Sequence, residues 1–138
     1  MEEEDWKEFA RSLKYNKGEN RFKHVGSEPF PEMVETSVGW IGKCPRGFNL
    51  AVAEKLLREG IPEYRLTAAE RPYRIWNYYD GAIYASRSED GGVTWHGYPN
   101  GAPAKSPPIK ILKELKTRAA GLGEADLLKD WLKKRWDK

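Results

Sequence analysis

The sequence predicts an α+β fold in which a small antiparallel β-meander, over about residues 73–98, packs on N-terminal and C-terminal helices. The turn sequences Asp80-Gly81 and Asp90-Gly91-Gly92 divide this stretch into three strands, because they supply the positive-φ positions that tight hairpin loops require. Apolar residues before and after the meander recur at helical spacing. A chain of 138 residues is expected to form a single domain, 1–138, with a modest core.

The composition limits the class of protein without fixing its activity. Six Trp and seven Tyr in 138 residues argue against disorder throughout the chain. The net charge of +3 permits contact with nucleic acid but does not require it. Acidic residues crowd the N-terminus and basic residues crowd the C-terminus, so the body of the chain is more basic than the total suggests.

Upstream of the meander, the spacing of apolar residues predicts a short acidic helix over residues 5–14. Glycines and prolines then indicate an irregular segment over residues 16–37, with room for one short strand at 21–25. Residues 38–43 fit either an edge strand or a buried connector.

The best-delimited helix is expected over about residues 50–59. Asn49 is a suitable N-cap, and Gly60 followed by Pro62 is a typical stop. Cys44 lies a few residues before this helix and is expected to be a small buried residue, since a lone cysteine provides neither a disulfide nor a thiolate zinc site.

After a loop over residues 99–108, helices are expected from Ile109 to about Gly121 and again in the basic segment 124–138. Trp131 and Trp136 give the last segment an apolar face. Two interpretations of that face stay open, a helix docked on the core and a helix that binds a protein partner.

Side chains alternate between the two faces of the meander, so the turns sort its residues into two sets. One set has no charge and is expected to pack against the helices: Tyr73, Ile75, Asn77, Tyr79, Ala82, Tyr84, Ser86, Val93, Trp95 and Gly97. The other set is expected to be at least partly open: Arg74, Trp76, Tyr78, Ile83, Ala85, Arg87, Thr94, His96 and Tyr98. For His96, the second turn allows two registers, opposite Ala85 or opposite Arg87.

The open set contains the chemistry that points to a phosphate ligand. The first turn places Arg74 opposite Arg87, and like charges across a ladder repel unless an anion or solvent offsets them. Arginine binds phosphate through two N–H groups, and His96 can transfer a proton near neutral pH. His96, Arg74 and Arg87 are therefore the predicted catalytic residues. The residues expected to bind substrate are Trp76, Tyr78, Thr94 and Tyr98.

The segment from Arg74-Ile75 through Asp80-Gly81 to Ile83-Tyr84 resembles part of the small microbial ribonuclease and bacterial toxin domains of the barnase and colicin type. The resemblance covers about a fifth of the chain. It implies metal-independent RNA cleavage in which arginines and a histidine act on the phosphate. The chain departs from that pattern because two helical segments follow the sheet and the catalytic glutamate has no matching strand position. Weaker candidates for the complementary base are Glu70, Asp80 and Glu89.

Two classes of function follow. The first is a ribonuclease-like toxin or effector domain that needs no cofactor or metal. The second is a non-enzymatic module that binds nucleic acid or a protein, including an antitoxin or immunity-type partner. The arginines and histidine also fit an ordinary solvated sheet face. No apolar run approaches the length of a membrane span, so no membrane contact is expected, and the chain is expected in the cytoplasm or exported without a classical signal peptide.

Overall fold

A computed structural model describes residues 8, 10–11, 14–15, 31–36, 39–44, 50–64, 72–88, 94–101 and 106–136. Glu8, Ala10 and Arg11 are helical, and strands and helices follow them along the chain. They are β1 (Lys14–Tyr15), β2 (Glu32–Thr36), β3 (Gly39–Lys43), α1 (Leu50–Arg58), β4 (Ile61–Glu63), β5 (Arg74–Tyr79), β6 (Ala82–Arg87), β7 (Thr94–Pro99), α2 (Ile109–Gly121) and α3 (Ala125–Trp136).

The predicted α+β fold is confirmed, and the meander β5–β6–β7 forms its centre. Asp80 and Gly81 have φ angles of 49° and 86°, as a two-residue primed turn requires. The turn pairs Tyr79 with Ala82 and Trp76 with Ala85, as expected. In the second hairpin, the register is the one that places Arg87 opposite His96.

The sheet is wider than the predicted meander. Its strand order is β1-β7-β6-β5-β4, with β4 antiparallel to β5 and β1 parallel to β7. Neither added strand shows a periodic pattern in the sequence, because β4 has three residues, including Pro62, and β1 has two. Pro62 is tolerated because β4 is an edge strand.

A separate hairpin corrects part of the predicted irregular segment. Strands β2 and β3 pair antiparallel, from Glu32 opposite Lys43 to Thr36 opposite Gly39. The loop expected through residue 37 is therefore wrong for Glu32–Thr36, whereas the strand interpretation of residues 38–43 is confirmed over Gly39–Lys43. The strand considered at 21–25 lies outside the described residues.

Helices cover both faces of the central sheet. On one face, Ile75 and Trp95 form a buried cluster with Ala10 and with Leu57 of α1. On the other face, helices α2 and α3 contact β5 and β6, and the larger cluster contains Trp76, Tyr78, Ile83, Leu115, Leu128 and Leu132. This second face, which was expected to be at least partly open, is closed at its centre, because its apolar residues match the apolar stripes of the two C-terminal helices.

Helix α3 is docked on the core. A Schellman turn connects it to α2, with Gly123 at a φ of 72° and the Glu124 N–H bound to the Ala119 carbonyl at 2.8 Å. Trp131 is 7% exposed, and its indole N–H donates to the Asn100 carbonyl at 3.0 Å. This confirms the docked interpretation for Trp131, whose indole therefore offers no surface to a protein partner.

Candidate functional site

The sheet register aligns four polar residues in one row across four strands. Glu63 of β4 lies opposite Arg74 of β5, and Arg87 of β6 lies opposite His96 of β7. Ile75 pairs with Ser86, so Arg74 and Arg87 occupy the next position along their shared ladder. Residues at matching positions of neighbouring strands point to the same face, so the four residues share one face. We call Glu63, Arg74, Arg87 and His96 the polar row.

The polar row lies at the end of the sheet that α2 and α3 leave accessible. Arg87 is exposed, and Glu63 and Arg74 are half-buried. Thr94, which begins β7, is also half-buried. Two positions along β5 from Arg74, Trp76 is already part of the closed core. The accessible part of this face is therefore a narrow strip beside the polar row.

Arg74 is held by aromatic side chains. Its guanidinium carbon lies 5.0 Å from the centre of the Tyr73 ring and 5.3 Å from that of Trp76, within cation–π range. One terminal nitrogen donates to the Tyr73 hydroxyl at 3.3 Å. The Nε–H is shielded from solvent and has no acceptor among the described residues. The guanidinium is thus oriented but retains hydrogen-bonding capacity.

Glu63 is the residue of the polar row that sequence reasoning missed. Its Oε1 accepts the indole N–H of Trp76 at 2.7 Å, which fixes the carboxylate beside Arg74. Glu63 comes directly after Pro62, in a strand too short to show alternation. The usable signal was the extended conformation that Pro62 imposes on Ile61 immediately after a helix stop.

Burial corrects the substrate-binding role that was predicted for two residues of β5. Trp76 is 1% exposed and Tyr78 is 4% exposed, so neither ring offers a surface to a nucleotide base. The Tyr78 hydroxyl accepts the Gly81 N–H at 3.0 Å and donates to Glu124 at 2.8 Å. Burial, and then the bond to Glu124, raise the pKa of Tyr78 well above its ordinary value. Both rings therefore belong to the core.

The other predicted site residues are two residues of β7 and the three candidate bases. His96 and Tyr98 occupy β7, opposite Arg87 and Ala85 respectively, so their strand positions follow the expected face. Of the candidate bases, Asp80 lies in the turn at the far end of β5, away from the polar row. Glu70 and Glu89 lie outside the described residues.

Neither a metal centre nor a membrane span is found within the described ranges. No group of three or more His, Cys, Asp or Glu side chains there could hold a metal ion, and Cys44 is buried. No helix in the described part of the chain is both long enough and apolar enough to cross a bilayer. Comparisons with protein-family models, with curated proteins and with solved structures found no match for the chain.

Proposed function

We propose that the polar row binds the phosphate of single-stranded RNA and cleaves the strand without a metal ion. One observation carries the proposal, namely that a carboxylate, two arginines and a histidine follow one another across four strands on one face. This set combines a proton acceptor, two phosphate ligands and a proton donor. The carboxylate also occupies the role that was missing from the resemblance to microbial ribonuclease and toxin domains.

The reaction is an in-line displacement at phosphorus. The Glu63 carboxylate takes the proton of the 2′-hydroxyl, and the resulting oxygen attacks the neighbouring phosphorus. Arg74 and Arg87 stabilise the negative charge that builds on the phosphoryl oxygens. His96, in its protonated form, gives its proton to the departing 5′-oxygen. The products are a 2′,3′-cyclic phosphate and a 5′-hydroxyl.

The dimensions of the sheet support these roles. Neighbouring strands are about 4.8 Å apart, so Glu63 and His96 lie roughly 14 Å apart along the polar row. Glu63 and His96 thus occupy the two ends of the polar row, with the two arginines between them.

Cleavage of a fluorescent single-stranded RNA in the presence of EDTA tests the proposal. We expect His96→Ala, Arg87→Ala and Glu63→Gln each to lower the rate by about 100-fold or more, the usual contribution of an acid, a base or a charge-stabilising group. Arg58→Ala is the matched control, because Arg58 is an exposed arginine of α1 that lies outside the polar row. A 2′-deoxy substitution at the cleaved position should abolish the reaction.

Two results would refute the catalytic proposal. One is the absence of cleavage by the wild-type protein, and the other is a rate that His96→Ala leaves unchanged. In either case, a binding assay with the same RNA then tests whether the polar row binds RNA without cleaving it.

A second candidate function is binding of single-stranded nucleic acid without turnover. It is favoured by the Glu63–Trp76 hydrogen bond, because a carboxylate that already accepts a buried indole N–H is less available to accept a proton from RNA. This function predicts that the uncleavable 2′-deoxy analogue binds as well as RNA. It also predicts that affinity falls steeply with salt and on Arg87→Ala, but not on Arg58→Ala. Fluorescence anisotropy measures both effects.

A further inference from the structure

A groove opens along the unpaired end of β5, between helices α1 and α2. Strand β4 reaches only as far as the pairing of Ile61 with Trp76, so no described strand continues beside the last residues of β5. The groove has a volume of about 730 Å³, which is within the usual range for small-molecule sites. Its lining consists of Val52, Lys55, Leu56, Glu59, Asn77, Tyr78, Tyr79, Arg118, Gly121 and Leu122. We call it the β5 groove.

The walls of the β5 groove come from regular elements. Val52, Lys55 and Leu56 recur at helical spacing on α1, and Glu59 follows its last residue directly, so the four residues form one continuous stripe. Leu122 closes the opposite wall immediately after α2, and 64% of its surface is exposed. An apolar side chain this exposed at the rim of a concave surface is suited to cover a bound apolar molecule.

Arg118 and Asn77 fix the base of the β5 groove. One guanidinium nitrogen of Arg118 donates to the Glu59 carbonyl at 2.6 Å and to Asn77 Oδ1 at 3.1 Å. The Asn77 amide donates to the Leu56 carbonyl at 2.8 Å. These bonds connect the C-terminal end of α1 to β5 and α2, so the groove is already formed without a ligand.

The same contacts disfavour an added β-strand as the occupant. Asn77 Oδ1 accepts the backbone N–H of Tyr78 at 2.8 Å. A peptide that extended the sheet at this edge would need that donor. The edge is thus engaged internally, and the remaining space suits a compact ligand.

The charged residues of the lining indicate which kind of compact ligand the groove binds. Lys55 and Arg118 contribute two positive charges to the lining and Glu59 contributes one negative charge, which leaves a net charge of +1. Arg118 is paired with Glu114 at 3.5 Å, whereas no carboxylate of the described residues forms an ion pair with Lys55. We propose that the β5 groove binds a hydrophobic monoanion, such as a medium-chain carboxylate, with its apolar body against Leu56 and Leu122 and its charge at Lys55.

Isothermal titration of the full chain with decanoate, below its micelle concentration, tests this proposal. We expect saturable binding of one decanoate per chain, about tenfold weaker binding of the neutral analogue decanol, and about tenfold loss of decanoate affinity in Lys55→Gln. Lys113→Gln is the matched control, because Lys113 is an exposed lysine of α2 that does not line the groove.

A second pair of variants tests the apolar wall. Leu122→Asp should reduce decanoate affinity by about 30-fold or more, since it places a negative charge where the apolar body lies. Ile109→Asp is its control, because Ile109 is 75% exposed at the other end of α2 and lies outside the lining. Both substitutions are at exposed positions, and thermal unfolding followed by circular dichroism verifies that each variant is folded. Absence of saturable decanoate binding, or equal losses in Leu122→Asp and Ile109→Asp, would overturn the proposal.

Discussion

At the scale of single residues, Gly60 shows how closely α1 approaches the sheet. A Cβ added at Gly60 would collide with the buried Ile75 side chain and lie 3.1 Å from the carbonyls of Leu56 and Leu57. A Cβ added at Gly121, by contrast, would have no neighbour within 4 Å. The two glycines therefore serve different purposes, a close approach at Gly60 and the last turn of a helix at Gly121.

This difference predicts opposite effects of the same substitution. Gly60→Ala should lower the free energy of unfolding by about 1–3 kcal/mol, because Ile75 is branched at Cβ and fully enclosed. Gly121→Ala should raise that free energy by up to about 1 kcal/mol through its helix propensity. Urea unfolding measures the change in the free energy of unfolding for both variants. Equal changes would show that the contact of the added Cβ with Ile75 does not destabilise the fold.

Asp80 makes stability depend on pH. Partial desolvation of its carboxyl group, and then the charge of Glu124, raise the pKa of Asp80 above its ordinary value. The folded protein therefore holds this proton more tightly than the unfolded chain does. The contribution of Asp80 to the free energy of unfolding is therefore largest at low pH. It falls as the pH rises from the ordinary carboxyl pKa of the unfolded chain through the raised pKa of the folded protein.

Asp80→Asn should remove this dependence. Asn keeps the positive φ of the turn and carries no charge, so the variant should be more stable than the wild type at pH 7 by about 0.5 kcal/mol, a value suited to an exposed group. The gain should shrink at pH 3, where Asp80 is protonated in both states. Urea unfolding midpoints of both proteins at the two pH values test this dependence. If Asp80→Asn gains the same stability at pH 7 and pH 3, the gain comes from turn geometry and not from the charge of Asp80.

At the scale of elements, the sequence was most informative where local chemistry decides the structure. The Asp80-Gly81 turn set the β5–β6 register, and the bounds expected for the helices around residues 50–59 and 109–121 are close to those observed for α1 and α2. Such features depend on φ angles, caps and spacing, which neighbouring residues determine.

Elements stabilised by distant partners were not predictable in the same way. β4 contributes Glu63 to the polar row, but its three residues carry no alternation, and only pairing with β5 makes it a strand. The face that α2 and α3 cover was also misassigned. Local spacing identifies an apolar stripe but does not say which of two aromatic faces it will contact. Three of the four residues of the polar row were thus predicted from local patterns, whereas Glu63 required tertiary pairing.

At the scale of the whole molecule, the polar row and the β5 groove lie at opposite ends of β5. Arg74 begins this strand and Tyr79 ends it, which separates them by roughly 16 Å. Charges of the two sites are therefore screened from each other, since the Debye length is about 8 Å at physiological ionic strength. Trp76, between them, is part of the buried core.

The separation predicts that the two sites act independently. Saturating decanoate should change the affinity for the 2′-deoxy oligonucleotide by less than about twofold, because neither ligand alters the charge or packing at the other site. Anisotropy titrations with and without decanoate measure the coupling. Arg87→Ala should likewise retain the decanoate affinity of the wild type. A larger coupling would mean that β5 transmits a structural change along its length.

The hydrogen bond between Asn77 Oδ1 and the Tyr78 N–H has a consequence for self-association. An uncovered strand edge is a template on which further copies of a chain can assemble into aggregates. In this protein, one edge strand contains Pro62, and the uncovered end of β5 has its donor engaged by its own side chain. A row of identical molecules therefore finds no free donor at Tyr78 from which to extend a continuous sheet. Asn77, which helps to shape the β5 groove, thus also blocks one route to edge-to-edge strand pairing.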